Sequence, residues 1–91
     1  MTDNTYQQLI NKFGKDNQCI VAIEELSELQ KEICKQLRGL GNIENLAEEI
    51  ADVEIMLEQL KIIYACDSLV QDKKDYKIKR IKKRYLSNDG I

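Results

Sequence analysis

The stretch EEIADVEIML, Glu48 to Leu57, sets acidic residues on the same helical turns as the apolar residues that would build a core. Upstream, EELSEL, Glu24 to Leu29, repeats the arrangement. Apolar residues recur every three or four positions in both, the period of an amphipathic helix. How these two helices meet decides the fold. Why a small domain crowds carboxylates against its own apolar seam is the question about function.

The rest of the chain is consistent with helices throughout. It has no proline, four glycines and a third of its 91 residues charged, with Leu, Ile, Glu and Lys abundant, a helix-forming composition. The expected class is all-α. A first short helix spans about Thr5 to Phe13 and stops at Gly14. A second runs from about Asn17 to Arg38, with Asp16 as N-cap, and ends at Gly39–Gly41. A third follows Asn42 and continues to about Ala65. A fourth starts at SLVQ, where Ser68 and Gln71 have capping-box spacing, and runs to about Leu86. The turn between the second and third is short, so they should return as an antiparallel hairpin with the other two helices flanking it.

At 100° per residue, Ala22, Leu26, Leu29, Ile33 and Leu37 form the apolar stripe of the second helix, with Glu25, Glu28 and Glu32 along one flank. On the third helix the stripe is Leu46, Ile50, Val53, Leu57 and Leu60, with Glu49 and then Asp52 at its side. The third helix has a second apolar set, Ala51, Ile55 and Ile62, which needs another cover. A subunit interface is expected there, with the first and fourth helices as competing covers. An oligomeric helical bundle, such as a four-helix bundle, also suits a chain too short to bury much surface alone.

Charge is unevenly distributed. Residues 1–72 carry six Lys/Arg against fourteen Asp/Glu, a net −8, whereas residues 73–91 carry eight against two, a net +6. Three cysteines, Cys19, Cys34 and Cys66, match neither a disulfide framework nor a zinc-site spacing, and are expected to be buried free thiols in a reducing cytoplasm. The N-terminus lacks the pattern of a secretory signal and no run of about 18 apolar residues exists, so neither export nor a membrane partner is expected.

Glu25 and Glu28, three apart, project from one face of one helix, and Glu49 and Asp52 do the same on the next. Four carboxylates at a partly dry seam repel and would have to protonate unless a cation neutralises them. Oxygen ligands of this kind suit Mg²⁺ or Mn²⁺, and Mg²⁺ leaves positions for substrate phosphates. Di-iron helical carboxylate sites need Glu-x-x-His motifs, and the chain contains no histidine. A single ExxE or ExxD is ordinary on a solvated helix; two pairs flanking core stripes on adjacent helices are not.

EELSEL, followed after twenty residues by EEIADV, resembles the EExxE…ExxD signature of the MazG-like all-α nucleotide pyrophosphohydrolases, which include the dimeric dUTPases and the dCTP pyrophosphatases. The resemblance spans about Asn17 to Arg84. It implies a homodimer or homotetramer that hydrolyses a nucleoside triphosphate to the monophosphate and pyrophosphate with Mg²⁺, for which Mn²⁺ could substitute. By position, Glu25, Glu28, Glu49 and Asp52 would be the metal ligands and Glu24 an assisting carboxylate. Glu24 and Glu28 both stand as candidates for the base that activates water. In such proteins cations of the last helix reach the phosphates. Here Lys77, Arg80 and Arg84 share one face, and Lys73 extends the row. Lys31, beside the acidic motif, is a further phosphate candidate, and Tyr6 and Phe13 are candidates to stack on a base. Family members often carry a tryptophan in that region and this chain has none.

Two readings from other classes compete. One is a non-catalytic helical interaction or nucleotide-sensing module. The other is nucleic-acid binding through the basic helix, which the acidic body and a pI near 5.2 disfavour.

Overall fold

A computed structural model describes residues 4–87. The order is α1 (Thr5–Phe13), α2 (Lys15–Leu37), α3 (Ile43–Ile63) and α4 (Asp67–Ile81), whose end widens into a π-helical turn, Lys82–Leu86. The described residues contain no strand, so the chain is all-α as its composition suggests.

Each helix boundary has a local cause. Gly14 takes φ 89°, ψ 145°, a backbone region open essentially to glycine alone. Its N–H bonds the Ile10 carbonyl to finish α1, and its own carbonyl accepts from the Gln18 N–H to begin α2. The expected cap at Asp16 is therefore displaced: α2 starts at Lys15, and Asp16 lies within its first turn, where a negative charge favours the helix dipole. At the other end, Gly39 has φ 73° and gives its N–H to Gln36, while the Leu40 N–H bonds Lys35. This paired 6→1 and 5→2 pattern is a Schellman stop. Asn42 then caps α3, its Oδ1 accepting from the Asn45 N–H at 2.8 Å. Gln36 Nε2 donates to the Asn42 carbonyl at 2.8 Å and ties the turn together.

The end of α3 repeats the Schellman pattern without glycine. Cys66 N–H bonds Lys61 and Ala65 N–H bonds Ile62, with Ala65 at φ 51°. α4 follows at Asp67, and the expected capping box does not form. Gln71 Nε2 instead donates to Asp75 Oδ1 at 3.0 Å, one turn ahead. Lys61 spans the junction, its Nζ lying 2.7 Å from Glu58 and 3.5 Å from Asp67. The Glu58 hydrogen bond, with the Glu58 and Asp67 charges, holds its pKa above the ordinary lysine value.

α2 and α3 make the most extensive packing, α1 lies against both, and α4 touches the body only at α3. Early α2 meets late α3, where Gln18 Nε2 donates to Gln59 Oε1 at 2.7 Å. Gln59 is 1% exposed and Gln18 is buried, so the contact centre is polar and satisfies itself. Among the described residues the buried apolar side chains are Ile10, Ala22, Val53 and Met56.

The buried face of α3, Val53, Met56 and Gln59, is therefore rotated from the expected stripe. Ile50 and Leu57 of that stripe stay partly exposed, as do Leu26 and Ile33 of α2, and Leu37 is 84% exposed; the cysteines expected to be buried are not, Cys34 being exposed and Cys19 and Cys66 half-buried. The covered face is one that three helices share, with α1 contributing Ile10, rather than the line between two. Ala51, Ile55 and Ile62 also remain exposed. The radius of gyration is 16.9 Å, against about 12 Å for a compact chain of this length.

The left-handed Ala65 yields a direct test. An L-residue there costs about 1–2 kcal/mol that glycine avoids, offset by glycine's greater unfolded-state entropy. Ala65→Gly should raise stability by up to about 1 kcal/mol, read as a higher urea midpoint with an unchanged slope. A lower midpoint would contradict the assigned turn.

Candidate metal centre

Glu25 on α2 and Glu49 and Asp52 on α3 each present a carboxylate oxygen, and the three oxygens lie within 4.8 Å of one another. The packing of α2 on α3 makes this cluster. Glu49 and Asp52 leave α3 from adjacent turns of one face, and Glu25 meets them from the flank of the α2 stripe. Glu25 and Glu49 are half-buried and Asp52 is exposed. Glu49 Oε2 is buried with no hydrogen-bond partner.

The electrostatics follow from that geometry. Burial pushes the Glu25 carboxyl above the ordinary carboxylate value, assisted by the Asp52 charge, a hydrogen bond with Asp52, and the charges of Glu49 and Glu28. Burial likewise raises Glu49, followed by the charges of Asp52, Glu28, Glu32 and Glu48. Every influence on both groups acts in the same direction. No lysine or arginine offsets them, so the cluster holds uncompensated negative charge.

The other residues singled out in the sequence fall in different places. Glu28 is half-exposed, and its Oε1 lies 3.9 Å from Nζ of the exposed Lys31. Its charge reaches both Glu25 and Glu49, although it stands outside the compact trio. Glu24 is exposed and is not among the charges acting on either group. Lys73, Lys77, Arg80 and Arg84 are all exposed, and they too are absent from those influences. Arg80 sits over the Tyr76 ring at 5.6 Å, and Arg84, in the π-helical turn, over Tyr85 at 5.9 Å.

Tyr6 and Phe13 part company. Tyr6 is half-buried and lines a groove of about 900 Å³ with Ala51, Ile55, Tyr64, Val70 and Lys74. Phe13 is exposed, with Lys12 over its ring at 5.5 Å, and does not line that groove.

One acid acquires a weight that spacing did not give it. Glu32 lies on the same α2 flank as Glu25 and Glu28, yet it is the buried one of the three. The signal was its i+7 relation to Glu25; nothing local distinguishes it from a solvated glutamate.

Compared with protein-family models, curated proteins and solved structures, the chain gives no match.

The raised carboxyls set the pH response of the ion-free protein. A carboxyl whose folded pKa exceeds its unfolded value favours folding in its protonated form. That contribution is complete below the ordinary value, near 4.5, and is lost as pH rises through the raised folded values. With divalent ions chelated, the melting temperature should be higher near pH ~5 than near pH ~7.5. Glu49→Gln should flatten the difference, because the neutral amide does not titrate. A melting temperature that rises from the lower to the higher pH in wild type would contradict the uncompensated cluster.

Proposed function

We propose that the chain is a Mg²⁺-dependent nucleoside triphosphate pyrophosphohydrolase. In this reading α2 and α3 form the antiparallel hairpin of a homodimeric or homotetrameric helical bundle. The observation that carries it is the group of three carboxylate oxygens within 4.8 Å, drawn from two helices and, among the described residues, without a cationic partner. The resemblance of EELSEL…EEIADV to the MazG-like pattern supplies the reaction class.

The residues present fit a hard divalent cation. All donors are carboxylate oxygens, the ligands Mg²⁺ and Mn²⁺ prefer, and histidine and clustered thiolates are missing. Oxygens bound to one Mg²⁺ stand about 3–4 Å apart, so a group within 4.8 Å needs little contraction. The orphaned Glu49 Oε2 is an acceptor that a cation would satisfy. When bound, Mg²⁺ supplies charge neutralisation and polarisation of the phosphate oxygens.

The protein's own residues do the rest. Glu25, Glu49 and Asp52 hold the ion, with Glu28 as the fourth carboxylate. A triphosphate could not approach this acidic body unaided, so the site is selective for substrate that arrives with its charge countered. Glu28 is better placed than Glu24 to take the water's proton. It is half-exposed to water and close enough to influence Glu25 and Glu49, whereas Glu24 influences neither. In the reaction a water oxygen bonds to phosphorus as the link between the α- and β-phosphates breaks. Glu28 takes the water's proton, and the leaving pyrophosphate carries off the electron pair. Lys31, beside Glu28, and the α4 row of Lys73, Lys77, Arg80 and Arg84 are the cations available to the phosphates. Tyr6 and Phe13 stay the aromatic candidates for a base, although the groove that Tyr6 lines includes none of the four metal-site carboxylates.

The small apolar interior supports assembly. Four buried apolar side chains among the described residues are few for a chain of this length, and Ile55 and Ile62 each stay 40% exposed. Light scattering should report a dimer or tetramer, and Ile55→Glu should shift it toward monomer. A monomeric wild type would remove the assembly from this reading.

The decisive experiment incubates the protein with a panel of ribo- and deoxynucleoside triphosphates and Mg²⁺, and identifies the phosphate products. Monophosphate and pyrophosphate should appear with wild type, and Glu49→Gln or Asp52→Asn should slow turnover by ~100-fold or more while the helical signal persists. Equal turnover by the variants would sink the ligand assignment. No turnover with Mg²⁺ or Mn²⁺ would leave a helical interaction or nucleotide-sensing module as the better description.

A further inference from the structure

α4 leaves the body almost at once. Every residue from Gln71 to Ser87 is exposed, the helix touches the body only at α3, and it buries no residue among those described. Helices in proteins draw most of their stability from a packed face, which the outer turns of α4 do not have. Those turns are densely charged instead: residues 73–84 hold eight Lys/Arg and one Asp. Among the described residues no carboxylate lies within ion-pair distance of any of the eight, and Asp75, the one acid among them, accepts from Gln71. None of the eight is among the charges acting on Glu25 or Glu49.

The distribution of these cations narrows the partner. At 100° per residue, Lys73, Lys77, Arg80 and Arg84 make one row, and Lys79 and Lys82 leave from the other side. Lys83 lies between those two and the row, and Lys74, which lines the groove with Tyr6, completes the ring. The cations thus surround the helix. One row alone would suit a small anion or a flat acidic surface, whereas a ring suits a polyanion that stands on both sides of the helix. A helix lying on a membrane surface needs an apolar sector free of charge, and none is left here. A second α4 would bring like charges together.

We propose that α4 is a docking helix for duplex DNA, seated in the major groove with a phosphate strand on either side. That groove is about 12 Å wide and admits an α-helix, while the major groove of duplex RNA is too narrow. Residues 73–84 extend over about 18 Å of helix, enough to cross it. Arg80 and Arg84 lie over the Tyr76 and Tyr85 rings at 5.6 and 5.9 Å, which orders both guanidinium groups before contact. Residues 72–87 contain no Asn or Gln to read adenine, so the contacts are to phosphates and tolerant of sequence. The pI near 5.2 averages a body and a helix of opposite sign. Residues 1–72, at net −8, repel a polyanion and confine the contact to the outer turns. The inference is independent of the metal centre, and Lys74, Lys79, Lys82 and Lys83 have no part in the proposed reaction.

Fluorescence anisotropy across a salt series tests this with the full chain and a labelled DNA duplex of mixed sequence. The same sequence as duplex RNA and phosphatidylserine vesicles serve as rival ligands. The slope of log affinity against log salt should be roughly −5 for six phosphates engaged, and duplex RNA should bind more weakly. The triple variant Lys79→Gln, Lys82→Gln, Lys83→Gln should flatten the slope by about 3, with circular dichroism and nucleotide turnover unchanged. No binding to the DNA duplex at low salt, an unchanged slope in the triple variant, or binding to vesicles in place of the duplex would overturn the proposal. So would a wild type that ignores the duplex while its mass in light scattering falls with salt, an outcome that assigns α4 to the acidic face of a second copy.

Discussion

The repulsion among carboxylates at the α2–α3 seam is the constraint on which the rest of the site depends. A solvated glutamate costs a helix nothing, and this chain has many. The cost arises at Glu25 and Glu49 because helix packing removes water from acids that already face Asp52 and one another. Packing and charge are opposed at one place, and no basic side chain resolves the opposition. An arginine at the same seam would have removed the strain.

Much of this was legible in the sequence, for identifiable reasons. α1 was readable residue for residue because Gly14 must end it, and the start of α3 because Asn42 has both the position and the side chain of an N-cap. The Glu25–Glu49–Asp52 group followed from i,i+3 spacing and a short turn, two features that survive errors in helix phase. What failed was finer. The Ser68–Gln71 spacing suggested a cap, but Asp75 competes for the Gln71 amide from one turn ahead, and local spacing cannot rank two such partners.

The core was misread for a related reason. A period of 3.6 identifies an apolar stripe without saying which stripe is covered, and on α3 there were two. The buried face includes Gln59, whose amide is answered by Gln18, 41 residues away in the chain. A hydrophobic pattern cannot anticipate a polar residue whose burial is permitted by a distant partner. Glu32 shows the converse. Its position on the acidic flank was plain, but its burial depends on how α3 crosses, so its difference from Glu28 appears only in three dimensions.

A bound ion would weigh heavily on the stability of so small a molecule. The apolar interior is small, the central contact is a pair of amides, and α4 buries no residue among those described. A cation bound only by the folded state stabilises it by about 2.7 kcal/mol at one hundred times its dissociation constant, a large fraction of the roughly 5–15 kcal/mol of an ordinary domain. Under the proposed metal site, ion occupancy would therefore act on the α2–α3 seam as much as on catalysis. The rest of the surface follows the same logic. Under the proposed assembly, exposed apolar residues on α3 would gain from a second copy, which would in turn hold the seam closed around its charge. A core made larger at the expense of the acids would have no need of either.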